Sequence, residues 1–151
     1  LTETKHFDQD FFLNKIPSGD IVIEGIEYDL NKTTLRPESK KILDKIYDIL
    51  KVNENLSIEI NAHTDTRGSA EYNKKLSHGR AQSCVDYLIS KGIAKERLLA
   101  QGFGEEKPLI GDEIIAGHAT KEEMEISHQK NRRTTFKVIG ESKINIINKG
   151  L

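Results

Sequence analysis

This chain has little to cross-link it, to loosen it or to carry it through a membrane. A single cysteine, Cys84, leaves no partner for a disulfide within the chain. At an apolar helical position such a residue reads first as a small buried side chain and only then as a reactive thiol. Three prolines and the lack of any low-complexity tract exclude a disordered class. No apolar run reaches the roughly 20 residues that a membrane-spanning helix needs, no signal peptide opens the chain, and no internal repeat is present. Charge of one sign is missing too. Charged residues make up 31% of the chain yet cancel to a net −1, without the basic excess of a nucleic-acid-binding module. The first residue is Leu1, so the chain is expected to be a processed or excised piece, with any export signal or anchor outside it.

What is present fits one domain of 151 residues, long enough for a proper core. Residues 1–19 hold Phe7, Phe11 and Phe12 and end in Pro17-Ser18-Gly19, a linker remnant or a short helix packed on the domain. Residues 20–26 alternate as a first strand, apolar on both faces. A polar loop, 27–34, leads to Pro37, well placed at a first helical position. The helix of residues 37–51 buries Ile42, Leu43, Ile46, Ile49 and Leu50. A second strand, 56–63, alternates Ile58, Ile60 and Ala62 with Glu59, Asn61 and His63 and reads as half-buried. Strand, helix and strand at this length make a crossover unit, so the two strands should run parallel in one sheet. Lys91-Gly92 closes the next helix. Residues 97–102 form a third strand, 121–130 a short helix capped by Thr120, and Thr134 to Val138 a last strand. Ile144, Ile146 and Ile147 in the tail, 141–151, suggest an edge strand.

The stretch 61–88 organises the rest. Leu76, Ala81, Cys84, Val85, Leu88 and Ile89 recur at helical spacing and define a buried face. Arg80, four residues from both Leu76 and Cys84, lies on that same side, and Asn73 projects toward it. Arg80 is either an edge arginine whose head reaches water or a functional cation. Asp65 follows the second strand at a turn marked by Thr66, Arg67, Gly68 and Ser69. It is either a turn residue bonding its own backbone or a functional carboxylate. If strand tip and helix start are neighbours, the two charges face one small space. A carboxylate beside a planar donor fork suits a ligand bearing both an ammonium and a carboxylate, that is, an amino-acid end.

His63-Thr64-Asp65, Gly68, Asn73, Leu76-Ser77, Arg80-Ala81, Val85, Gly102-Phe103-Gly104 and Asn131-Arg132-Arg133 appear as separated blocks in one order. In this the chain resembles the OmpA-like C-terminal domain, the peptidoglycan-binding module of outer-membrane proteins, lipoproteins and flagellar stator proteins, from about residue 21 to 138. The resemblance and the patterning together give an α/β (α+β) sandwich, ordered βαβαβ(α)β. It is a mixed sheet of about four strands with helices mainly on one face, an OmpA-like domain over residues 20–140. The resemblance implies non-covalent binding of peptidoglycan through the diaminopimelate of the stem peptide, without a cofactor, a metal or catalysis. Asp65 would accept from the ammonium and Arg80 would clamp the carboxylate. Asn73, Asp29 and Arg133 would add hydrogen bonds, Thr64 would sit beside Asp65, and Leu76 would form an apolar wall. Tyr28-Asp29 matches the family's aromatic-Asp loop. An arginine of the Asn131-Arg132-Arg133 block faces the family's pocket; strand alternation allows only one of the pair to do so, and Arg133 is the choice. The implied setting is periplasmic, with the outer membrane reached through a missing part of the parent protein.

Two features depart from the family. Gly79 weakens a helix by about 1 kcal/mol relative to Ala. The segment 109–130 is longer than its counterpart and is able to cover or reshape the pocket. Two other functions stay open. A metal-dependent cell-wall hydrolase would use His63, Asp65 and a distant His118 or His128, but no close-spaced ligand cluster or HExxH supports it. His63 reads instead as a structural hydrogen-bonding residue. A protein-interaction or oligomerisation domain, including a homodimer, would use the N-terminal phenylalanines. The glycine pair at Gly102 and Gly104 lacks the third glycine and following helix of a phosphate loop.

Overall fold

A computed structural model describes residues 5–6 and 19–140. The expectations for the N-terminal phenylalanines and for the tail, its edge strand included, lie outside the described residues. In chain order the elements are β1 (Lys5–His6), β2 (Ile21–Val22), α1 (Pro37–Val52), β3 (Ser57–His63), α2 (Ala70–Ser90), a 3-10 turn (Lys95–Arg97), β4 (Leu98–Gly104), α3 (Asp112–Ala116), α4 (Lys121–Asn131) and β5 (Arg133–Gly140).

The strands form one mixed sheet in the order β1-β2-β5-β3-β4. The β1–β2 and β3–β4 pairs are parallel, and β5 runs antiparallel between β2 and β3. The strands on either side of α1 therefore do run parallel, but β5 separates them. The α/β sandwich with a mixed sheet is the architecture expected, extended by the two-residue β1. The first strand is shorter than its alternation suggests, ending at Val22; Gly25 then takes a φ of 88°, which breaks the extended run.

Ile58, Ile60 and Ala62 of β3 pack with Leu43, Ile46 and Leu50 of α1, with Ala81, Cys84, Val85 and Leu88 of α2, and with Phe136 of β5 in one core. Each buried Leu, Ile, Val or Phe among them contributes roughly 1.5–3 kcal/mol, the alanines less. β3 is not half-buried. Glu59, Asn61 and His63 on its other face are buried as well, where side chains from neighbouring segments, among them Gln101, Asp20 and Phe103, lie against them. On that face Gln101 donates to Glu59 at 3.0 Å and Asn61 to Asp20 at 3.5 Å. Composition registered the chemical alternation and missed the burial.

Two close approaches set the position of α2. A Cβ on Gly102 of β4 would lie 2.2 Å from the His78 backbone nitrogen and 2.6 Å from Ser77 Oγ, so only glycine lets helix and strand seat this tightly. Ser77 is fully buried there, accepts from the Gly104 N–H at 2.8 Å and donates to the Lys74 carbonyl. The helix face turned to the core is thus Asn73, Ser77, Ala81, Cys84, Val85 and Leu88; Leu76 and Ile89 lie off it. On the other side a Cβ on Gly79 would meet Thr33 Cγ2 at 2.8 Å. The helix-weakening glycine is the notch that admits the 28–35 loop.

Candidate functional site

That loop, residues 22–27 before it, the end of β3 with the turn after it, Arg80 in the middle of α2, and the α4–β5 junction line a cavity of about 1010 Å³. Asp65 and Arg80, singled out by their positions in the sequence, both line it, together with Tyr28, Arg67, Arg132 and Arg133.

Asp65 follows β3, held by the Thr64 N–H donating to the Gly104 carbonyl at 2.8 Å. Its side chain is 11% exposed. Oδ1 accepts from the Arg67 backbone N–H at 3.0 Å. Oδ2 accepts from Arg67 Nη2 at 2.9 Å and Arg132 Nη1 at 2.6 Å. Burial works to raise its pKa, but the arginine hydrogen bonds and that N–H outweigh burial and hold it down at about 2. Glu125 of α4 closes the ring of charges, pairing with Arg132 at 2.7 Å and Arg67 at 3.3 Å.

Arg80 lies differently. Its guanidinium lies over the Tyr28 ring, 4.8 Å from the ring centre, and donates to the Lys32 carbonyl at 2.9 Å and the Asp29 carbonyl at 3.2 Å. Among the described residues it has no carboxylate partner, and burial lowers its pKa. The Tyr28 hydroxyl donates to the Arg80 carbonyl and meets Cys84 Sγ, both at 3.1 Å, so the aromatic platform is anchored to the helix that carries the arginine. Burial, above all, raises the Tyr28 pKa well above its ordinary value and, for the Cys84 thiol, to about 11.

Of the other expected site residues, Arg133 lines the cavity, whereas Asp29, Asn73, Thr64 and Leu76 do not. The Asp29 carboxylate turns to Arg36, at 2.8 Å, and only its carbonyl meets Arg80. Asn73 Nδ2 donates to the Arg67 carbonyl at 2.9 Å and to Glu105 Oε1 at 3.0 Å, fixing the turn after Asp65. The Thr64 hydroxyl donates to the Asp65 carbonyl at 2.8 Å. Leu76 is half-buried, and it does not line the cavity. The reasoning that only one of Arg132 and Arg133 faces the pocket does not hold. Arg132 is the residue that caps the C-terminus of α4, not a strand residue, so alternation does not apply and both line the cavity.

Four residues were missed as a group: Tyr28 as a platform, and Arg67, Glu125 and Arg132 as the ring around Asp65. Arg67 was legible as an arginine two residues past a strand-end aspartate. Glu125 was not, because nothing local shows that α4 lies over the turn. The long 109–130 segment forms α3 and α4, and Leu109, Glu125, Ile126, Gln129 and Lys130 make it one wall of the cavity. Asn131, wholly buried, pins its start by bonding both the Ile110 N–H and the Ile110 carbonyl at 2.9 Å.

His63 is not the hydrogen-bonding strand end that was expected. It is 5% exposed, stacks on Phe103 at 5.2 Å, and neither ring nitrogen has a partner among the described residues. Burial first, then the Arg133 and Lys107 charges, lower its pKa to about 3. His118 Nε2 meets Ser127 Oγ at 2.8 Å, away from His63 and Asp65. Among the described residues no three His, Cys, Asp or Glu side chains are grouped to hold a metal ion.

The fold is a mixed-sheet sandwich with a charged cavity at the end of β3, lined by a held carboxylate, Asp65, and a carbonyl-bonded arginine, Arg80. The sequence model of the OmpA family matches residues 28–124, and the chain belongs to that family. It is 38% identical over 117 residues to outer membrane protein A of Serratia marcescens, covering 75% of this chain and 32% of that protein. Against outer membrane protein A of Salmonella typhi the identity is 44% over 90 residues, covering 56% and 25%. The chain thus spans about a third or less of these relatives' length. Among solved structures, the peptidoglycan-associated lipoprotein of Burkholderia pseudomallei superposes with a TM-score of 0.62 at 26% identity, covering 76% of this chain and 88% of that one. The cell wall anchor of the T6SS from Pseudomonas aeruginosa gives 0.61 at 25%, covering 81% and 80%.

Proposed function

We propose that this domain binds peptidoglycan non-covalently, gripping the diaminopimelate end of a stem peptide, and so tethers its parent protein, and through it the outer membrane, to the cell wall in the periplasm. The observation that carries this reading is the placement of Asp65 and Arg80 on one cavity. The relatives add support: one solved neighbour is a peptidoglycan-associated lipoprotein and another a cell wall anchor.

The free end of diaminopimelate bears an ammonium and a carboxylate on one carbon. A carboxylate has about four acceptor positions. Asp65 uses three on Arg67 and Arg132, which leaves one on Oδ1 for an ammonium. Arg80, bonded to neutral carbonyls, gains most from a ligand carboxylate, and the Tyr28 ring supports the planar fork on one side. Each such desolvated, charge-assisted bond contributes roughly 1.5–3 kcal/mol. Binding holds the ligand without breaking a bond in it, so the role is mechanical rather than catalytic. Calorimetric titration with a diaminopimelate-containing muropeptide tests the reading. Binding by the wild type that is lost in Arg80→Ala supports it, and unchanged affinity in that variant overturns the assignment.

A further inference from the structure

The four cavity arginines fall into two kinds. Arg67 and Arg132 are ion-paired to Asp65 and Glu125. Arg80 and Arg133 are not, among the described residues. Arg133 donates to the Asn131 carbonyl at 3.2 Å and the Lys107 carbonyl at 2.8 Å. Burial lowers its pKa to about 10, with the Asp20 charge acting the other way. A half-buried guanidinium bonded to neutral carbonyls keeps a charge that no carboxylate among the described residues pairs with directly. In the peptidoglycan reading the ligand carboxylate meets that demand at Arg80. The same demand stands at Arg133.

His63 adds an independent observation. It is the direct cross-strand partner of Arg133 in the β3–β5 register. Such partners share a face of the sheet with Cβ atoms about 4.5–5.5 Å apart. Both residues line the cavity. The imidazole is buried, its plane is set by Phe103, and both its nitrogens lack partners among the described residues. A buried polar group left so is costly. A neutral imidazole carries one N–H donor.

We propose that His63 and Arg133 form a second carboxylate subsite, distinct from the Asp65–Arg80 pair, so that the cavity selects a peptide bearing two carboxylates. Arg133 supplies the charge and His63 one N–H bond. The cavity, at about 1010 Å³, is at the upper end for small-ligand pockets and exceeds the needs of a single amino-acid end. The inference rests on the peptidoglycan reading and names the further part of the stem peptide that is read, a side carboxylate beyond the gripped end.

Two synthetic stem tripeptides test it. One has all its carboxyls free; the other is amidated everywhere except at the diaminopimelate free end. Wild type should bind the free peptide at least tenfold more tightly. Arg133→Gln and His63→Leu should bind both peptides with the affinity the wild type has for the amidated one, and His63→Gln, which keeps a neutral donor, should recover part of the preference. Equal affinity of the wild type for both peptides overturns the second subsite and leaves the first standing, and needs no variant to fold. A variant loss equal for both peptides overturns it as well, since it marks a structural role. Wild type binding neither peptide overturns the peptidoglycan reading itself, and this inference with it.

Discussion

Asp65 is the most constrained side chain of the site. Asp65→Asn keeps the shape but gives up the charge, and should weaken muropeptide binding by about 10- to 100-fold, the equivalent of one charge-assisted bond. Its low pKa has an identifiable source. Arg67 supplies a side-chain bond and a backbone bond to it, and the Arg67 side chain is half-exposed. Arg67→Ala leaves the backbone bond and Arg132 in place, so the Asp65 pKa should rise from about 2 toward 3.8. Carbon-13 NMR of the labelled carboxyl would show this, and an unmoved titration would mean that Arg132 and the backbone N–H suffice to hold it. Asp65 and Arg80 were legible in the sequence because each sits where its local pattern does not want a charge. The partners that complete the site were not. Whether Arg132 belongs to the helix or the strand turns on one backbone position, and Glu125 reaches Arg67 only through the folded path of α4. Asn73 and Asp29 were marked as ligand contacts, yet their side chains hold the Arg67 turn and Arg36.

At the scale of elements, α2 carries Arg80, and its seat on β4 decides where that arginine points. Gly102→Ala forces a methyl to within 2.2 Å of the His78 nitrogen. Backbone must give way, and overpacking of this kind costs about 1–3 kcal/mol. Thermal denaturation should record the loss, and binding should weaken with it because α2 shifts. A variant as stable as wild type would mean that this contact is not what positions the helix. Leu88→Ala, deep in the core, should cost about 2–5 kcal/mol with muropeptide affinity intact in the folded fraction, which separates stability from site geometry. Period and capping signals made these elements readable: Pro37 starts α1, and Thr120 with Glu123 forms a capping box on α4. The short α3 had no such signal. The tight α2–β4 contact appears in the sequence only as Ser77 and Gly102, small residues whose spacing along the chain does not reveal that they touch.

For the whole molecule, two perturbed groups make the fold acid-sensitive in the same direction. Folded His63 binds its proton only near pH 3, while the unfolded residue binds near 6.5. Between those values the unfolded chain holds more protons, so stability falls as pH falls, by at most about 1.4 kcal/mol per pH unit. Asp65, about 2 when folded against 3.8, is fully stabilising above pH 3.8 and loses its contribution as pH drops through 2. Urea denaturation should show decline starting below about pH 6.5, and His63→Leu should flatten the curve from there to pH 4; an unchanged slope would place the sensitivity elsewhere. The central claim is that one cavity grips an amino-acid end between Asp65 and Arg80. Calorimetric titration of a diaminopimelate-containing muropeptide into wild type, Asp65→Ala and Arg80→Ala, each checked for fold by circular dichroism, tests it most directly. The account predicts saturable one-to-one binding by the wild type that both substitutions abolish. Wild-type affinity in either folded variant, or no binding by the wild type, would contradict it.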